Sequence, residues 1–105
     1  MYTRNVSMKM KTNSAKEFTQ TLENEVIPML RKQKGFKDEI TLVAPERNEI
    51  VAISFWDKKE DAEAYNREKY PEILKKLSKV VEGTPKVESF EVANSTSHHI
   101  AAKAA

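Results

Sequence analysis

Polar and apolar residues alternate along the first eleven positions. Tyr2, Val6, Met8 and Met10 share one parity; Thr3, Asn5, Ser7 and Lys9 share the other. That period predicts a strand over residues 2–11 with one greasier face. Past Thr12-Asn13-Ser14 the period lengthens. Phe18, Leu22, Val26, Met29 and Leu30 recur at helical spacing, the stripe of an amphipathic helix running to about Gln33. Ser14 with Glu17 three residues on reads as a capping box. Pro28 inside the stripe predicts a kink or a loosened turn, because proline lacks an amide and crowds the preceding turn. Gly35 is the expected left-handed stop.

A second strand is expected over Phe36–Ala44, with Phe36, Ile40, Leu42 and Ala44 on one face. Pro45-Glu46-Arg47-Asn48 is a turn of hairpin length. The third strand, Glu49–Trp56, is apolar on both parities: Ile50, Ala52 and Trp56 on one, Val51, Ile53 and Phe55 on the other. Such a strand is buried on both faces. Asp57 with Glu60 predicts the cap of the next helix. Tyr70-Pro71 interrupts that helix and restarts it, since proline is tolerated in a first turn. Ile73, Leu74, Leu77, Val80 and Val81 carry the stripe on to Gly83 and Pro85. Val87–Ala93 is the last expected strand.

The order strand, helix, strand, strand, helix, strand predicts an α+β, ferredoxin-like βαββαβ sandwich: a four-stranded antiparallel sheet with two helices on one face. The first and third strands fall in its centre. Residues 1–94 make one domain and 95–105 a flexible tail. With helices on one side only, the doubly apolar third strand leaves a greasy sheet face uncovered. The expected partner is a second copy, packed sheet to sheet as a homodimer.

Composition changes this picture little. The 105 residues suit one domain, and 18 basic against 16 acidic residues leave a net charge of +2, which gives no basis for a nucleic-acid or acidic-membrane partner. Arg31, Lys32, Lys34 and Lys37 gather where a helix ends, where cations suit its dipole. Cysteine is absent, which excludes disulfides, thiolate metal sites and cysteine nucleophiles. No apolar run approaches ~18 residues, and the expected location is the cytoplasm. With Gly35 and Gly83 the only glycines, a glycine-rich phosphate loop is excluded. His98 and His99 lack further ligands at metal-binding spacing. No cofactor is expected.

Several segments together resemble a known family. They are the strand around Asn5, Val26-Ile27-Pro28-Met29-Leu30 followed by Gly35-Phe36, and Ser54-Phe55-Trp56-Asp57 through Ala62 and Tyr65. Tyr70-Pro71 and Val87-Glu88-Ser89-Phe90-Glu91-Val92 complete the set. The chain resembles the antibiotic-biosynthesis-monooxygenase-like group of the dimeric α/β-barrel superfamily over residues 2–94. The resemblance implies a dimer whose two sheets form a barrel, with a cavity between sheet and helices in each subunit. It also implies cofactor-independent oxygenation of quinol-like aromatic substrates, or, on the same fold, a non-catalytic small-ligand-binding or stress-response module. Haem-degrading relatives match at Asn5 and place a tryptophan near Tyr65, but their haem-ligating histidine falls in the 70s. This chain has no histidine before His98, so haem cleavage by that route is excluded.

Four residues carry the chemistry this resemblance implies. Trp56 either lines the cavity, its N–H holding a substrate oxygen, or anchors the core. Asn5 either hydrogen-bonds a carbonyl or developing oxyanion, or is a structural amide. Tyr65 and Tyr70 flank the helix break at an expected cavity mouth. Their hydroxyls either orient a phenolic substrate or relay a proton, or the pair forms an amphipathic core edge with a wet tip. No strong base is legible near them.

Overall fold

A computed structural model describes residues 1–101; the remainder of the expected tail, 102–105, lies outside the described residues. The elements are β1 (Tyr2–Met10), α1 (Ala15–Thr21), a π turn (Leu22–Val26), α2 (Ile27–Arg31), β2 (Phe36–Ala44), a 3₁₀ turn (Pro45–Arg47), β3 (Glu49–Trp56), α3 (Lys59–Glu68), α4 (Tyr70–Leu77) and β4 (Val81–Glu91). The sheet is antiparallel in the order β2-β3-β1-β4, so β1 and β3 are central as the double apolarity of β3 requires.

Val6, Met8 and Met10 of β1 face the helices with Ile50 and Trp56 of β3. Phe18, Leu22, Ile73 and Leu77 close over them from the helical layer. Each fully buried side chain of this size contributes about 1.5–3 kcal/mol. Pro28 acts through the π turn just before it: the widened turn absorbs the missing amide bond and the ring's clash with the preceding carbonyl.

Local chemistry departs from the sequence pattern at both expected capping boxes. Ser14 precedes α1 without a side-chain cap, and Glu17 pairs instead with Lys79 at 3.8 Å. Asp57 is not the cap of α3; that position falls to extended Lys58. The Asp57 amide donates to the Gly35 carbonyl at 2.8 Å and its carboxylate lies 3.4 Å from Lys37 Nζ, which ties it to the sheet and delays the helix. Gly35 has φ 79°, and a Cβ there would collide with the Asp61 carboxylate.

The apolar stripe also overruns its helix. Val80 and Val81 are buried, yet α4 stops at Leu77. The Val80 carbonyl accepts from the Lys11 amide at 2.9 Å, and Val81 pairs with Met10 to start β4. Burial made these positions apolar, in a turn and a strand rather than a helix. β4 therefore begins six residues before the expected Val87, with a shift of register between Ser7 and Lys9 that accommodates Gly83 and Pro85.

A second register shift decides the faces of β2. Phe36 pairs with Trp56, but Asp38 pairs with Phe55 and Glu39 with Ser54. The extra residue inverts the parity. Phe36 faces the helices while Ile40 and Leu42 face away, so the single face expected for these residues is split.

The face away from the helices is apolar and open. Ile40, Leu42 and Phe90 are 43%, 51% and 51% exposed, beside Val51, Ile53 and Phe55 of β3. Part of the segment expected to be a flexible tail lies against it. Ser95 and Ile100 exchange backbone hydrogen bonds at 2.8 Å, and the His98 ring stacks on Phe55 at 5.1 Å. His98 Nε2 is 3.5 Å from Asp38 Oδ2.

Candidate functional site

The site grows from the helix-facing parity of β1. Arg4 lies on the same side as Val6 and Met8, one charge on an otherwise apolar face. It is only 3% exposed. One Arg4 nitrogen donates to Asn66 Oδ1 at 2.7 Å, and the guanidinium lies over the rings of Tyr70 at 4.5 Å and Tyr65 at 5.1 Å. These cation–π contacts offset part of the cost of burying the charge. Among the described residues no carboxylate comes within ion-pairing distance of Arg4. Burial lowers its pKa, and the tyrosine hydroxyls oppose that shift; an arginine remains charged even so.

Arg4 forms part of the wall of a small cavity of about 40 Å³ between sheet and helices. Its polar lining is Arg4, Glu39, Ser54, Tyr65 and Tyr70; the rest is aliphatic, including Leu22 and Val26 of the π turn and Leu74 of α4. On its other side Arg4 borders a second cavity of about 160 Å³, shared with Asn66, Glu63 and Ser89. The side chain is a partition between the two.

Glu39 enters the cavity because of the bulge in β2. It accepts a hydrogen bond from Thr41 Oγ1 at 2.7 Å. Desolvation raises its pKa; the Thr41 bond opposes this and the Asp38 charge adds to it. Burial also raises the pKa of Tyr65 and, to a lesser degree, Tyr70, with Arg4 opposing in both cases. Both tyrosines are therefore neutral phenols and can donate. Tyr70 Oη is buried and hydrogen bonding with Arg4 opposes its shift; its proton has no acceptor among the described residues and is open to an oxygen of a bound molecule.

Trp56 is fully buried and does not line the cavity. It packs edge-on against Phe36 at 5.6 Å and tilted against Tyr65 at 5.0 Å. Its Nε1 donates to Ser54 Oγ at 2.9 Å, which leaves the Ser54 proton for another acceptor. Trp56 thus meets the site through Ser54 and Tyr65. Asn5 lies on the opposite face of the sheet, between Ile53 and Glu88, and its Oδ1 is buried without a partner. Tyr65 and Tyr70 both line the cavity, with ring centroids 6.3 Å apart. Of the four expected residues, these two are brought together, Trp56 supports them, and Asn5 is separated from them by the sheet.

Sequence reasoning missed Arg4 and Glu39. Arg4 carried a visible signal, a charge on the apolar parity of β1. Glu39 carried none, because its face depends on the bulge. Among the described residues no histidine and carboxylate cluster is arranged to hold a metal, and no helix is long and apolar enough to cross a membrane.

No family profile matches the chain, and no curated protein matches it. Solved structures do. A Streptomyces coelicolor monooxygenase from the gene ActVA-Orf6, in complex with the ligand nanaomycin D, superposes with a TM-score of 0.76 at 13% identity, over 90% of this chain and 88% of that one. This chain has its fold. A structure described as an antibiotic biosynthesis monooxygenase gives 0.70 at 10% identity, over 88% and 98%. A conserved protein from Methanosarcina mazei Go1 gives 0.70 at 17% identity, over 86% and 91%. At these identities the likeness is one of architecture. It agrees with the resemblance read from the sequence.

Proposed function

We propose that this chain is a cytoplasmic, homodimeric, cofactor-independent monooxygenase acting on an electron-rich aromatic substrate of quinol or anthrone type. The observation that carries this is the cavity between sheet and helices, where a carboxylate of raised pKa, Glu39, shares an apolar enclosure with two neutral phenols. Shared fold with the nanaomycin-bound monooxygenase supports the same reading.

In this scheme Glu39 removes a proton from the activated carbon of the substrate, and Tyr70 Oη donates to the oxygen on which charge develops. The carbanion reduces dioxygen and captures it as a hydroperoxide, which loses water. For an anthrone the sum is R₂CH₂ + O₂ → R₂C=O + H₂O, with all four electrons supplied by the substrate. Dry aliphatic walls strengthen the hydrogen bonds and protect the intermediate. A tricyclic substrate needs far more than the present cavity, since ligand pockets hold about 300–1,000 Å³. The elements bordering the cavity that lack a full helical bond pattern are the π turn and the α3–α4 junction, and these are where room is made.

The second copy is proposed to cover the sheet face of Ile40, Leu42 and Phe90. The segment carrying His98 lies on Phe55 of that face, so the partner must displace or flank it. The test is oxygen consumption with anthrones and quinols by wild type, Glu39→Gln and Tyr70→Phe. Uptake by wild type that falls in both variants is expected. Tight binding with no uptake across the panel would replace the oxygenase with a ligand-binding module on the same cavity.

A further inference from the structure

We infer that the ligand of this cavity is an anion, an aromatic acid whose carboxylate docks on Arg4; this rests on the cavity of the proposed function being a ligand site. A guanidinium has five N–H donors. Among the described residues, Arg4 donates a hydrogen bond to Asn66 Oδ1 and lies beside the Tyr70 hydroxyl, whose hydrogen bonding favours the charged guanidinium; this leaves further N–H donors free. The residue is buried, 3% exposed, and among the described residues no carboxylate lies within ion-pairing distance of it. Buried charges in proteins are paired, and one held by a side-chain amide and two aromatic faces is short of an acceptor. Tyr70 Oη, on the ring over which the guanidinium lies, is buried; it can accept from Arg4, but arginine has no acceptor to offer, so the hydroxyl proton is left without one. Spare donors of the guanidinium and the free proton of the phenol converge on one place.

The surroundings select the ligand. The planar fork of Arg4 matches a carboxylate with two parallel hydrogen bonds. The site supplies one positive charge, and Glu39 and Glu63 stand in the walls of the two adjoining cavities. A monoanion balances Arg4; a phosphate dianion would meet both glutamates. On the far side the walls are Leu22, Val26 and Leu77 with the faces of the tyrosines, which suit an apolar ring rather than a sugar.

The test compares 2-naphthoate with its neutral methyl ester, using quenching of Trp56, the sole tryptophan, which packs on Tyr65 beside the cavity. Wild type should bind the acid at least tenfold tighter than the ester, and the acid affinity should fall with added salt. Arg4→Gln should abolish the preference, and Arg4→Lys should restore only part of it, since lysine keeps the charge and loses the fork. Should the variants not fold, the acid-to-ester ratio and its salt dependence in wild type still decide the matter. Equal binding of acid and ester, or a preference retained by a folded Arg4→Gln, would overturn the inference. Oxygen uptake from neutral quinols with no preference for acids sinks this inference alone. Acid-selective binding without any uptake sinks the oxygenase alone. No binding of either probe sinks the cavity reading and this one with it.

Discussion

The guanidinium of Arg4 lies 4.5 Å from the ring centre of Tyr70, sealed beneath the junction of α3 and α4. The contact joins the central strand of the sheet to the one break in the second helical stretch. It is the point at which sheet, helix break and cavity meet. Arg4 has no carboxylate partner among the described residues, so an apolar side chain of similar length removes the cost of desolvating its charge, against the loss of the Asn66 hydrogen bond. Arg4→Met is therefore expected to hold or raise the stability in urea while losing acid binding. A loss above about 2 kcal/mol would show that the guanidinium is held for structure instead.

Trp56→Phe removes the donor to Ser54 Oγ and part of the packing on Phe36 and Tyr65. The expected cost is about 1–3 kcal/mol, against about 3–5 kcal/mol for Trp56→Ala. Denaturant titration followed by circular dichroism reads both. If Trp56→Phe changes oxygen uptake without changing stability, the Ser54 hydroxyl is the affected group.

Glu39 sets a pH dependence for activity. Its pKa is raised by burial, so the base form grows in at higher pH than for a solvated glutamate, and oxygen uptake should rise with pH through that raised value. Glu39→Gln should lose this limb and about 10²–10⁴ of the rate. Stability runs the other way. A carboxyl whose folded pKa is raised binds protons more tightly when folded, so its contribution is present at acid pH and lost as pH climbs through the folded pKa. Glu39→Gln should therefore be at least as stable as wild type at neutral pH, and a clearly less stable variant would contradict the assigned shift.

Gly35 and Gly83 separate two costs of a side chain. Both have positive φ, 79° and 71°, but a Cβ at Gly35 meets the Asp61 carboxylate while one at Gly83 meets open space. Gly83→Ala should cost only backbone strain, about 1–2 kcal/mol. Gly35→Ala should cost more, with part recovered by adding Asp61→Ala. Equal costs at both sites would remove the steric argument.

The open sheet face predicts self-association. Leu42→Glu or Phe90→Glu should shift the protein toward monomer in sedimentation velocity. Removing the residues after Ala93 uncovers Phe55 and should strengthen the dimer. A truncated chain that dimerises less would mean that the segment joins the interface rather than competes with it.

The sequence by itself determined the layers. Period two in β1, period three to four from Phe18 to Leu30, and the doubly apolar β3 each follow from which side chains must leave water. Burial of that kind is written residue by residue. Tyr65 and Tyr70 were legible as flanking the helix break at Pro71, and the family resemblance supplied the cavity beside that break. What only the tertiary structure decided was which face a residue meets once the strands are in register. One extra residue between Phe36 and Asp38 turned Glu39 inward and Ile40 outward. Register also put Asn5 behind the sheet and Arg4 before it, although they are neighbours in the chain. Alternation names two faces without saying which is covered; the helices packed on β1 and β3 make that choice, and with it they chose the residues of the site.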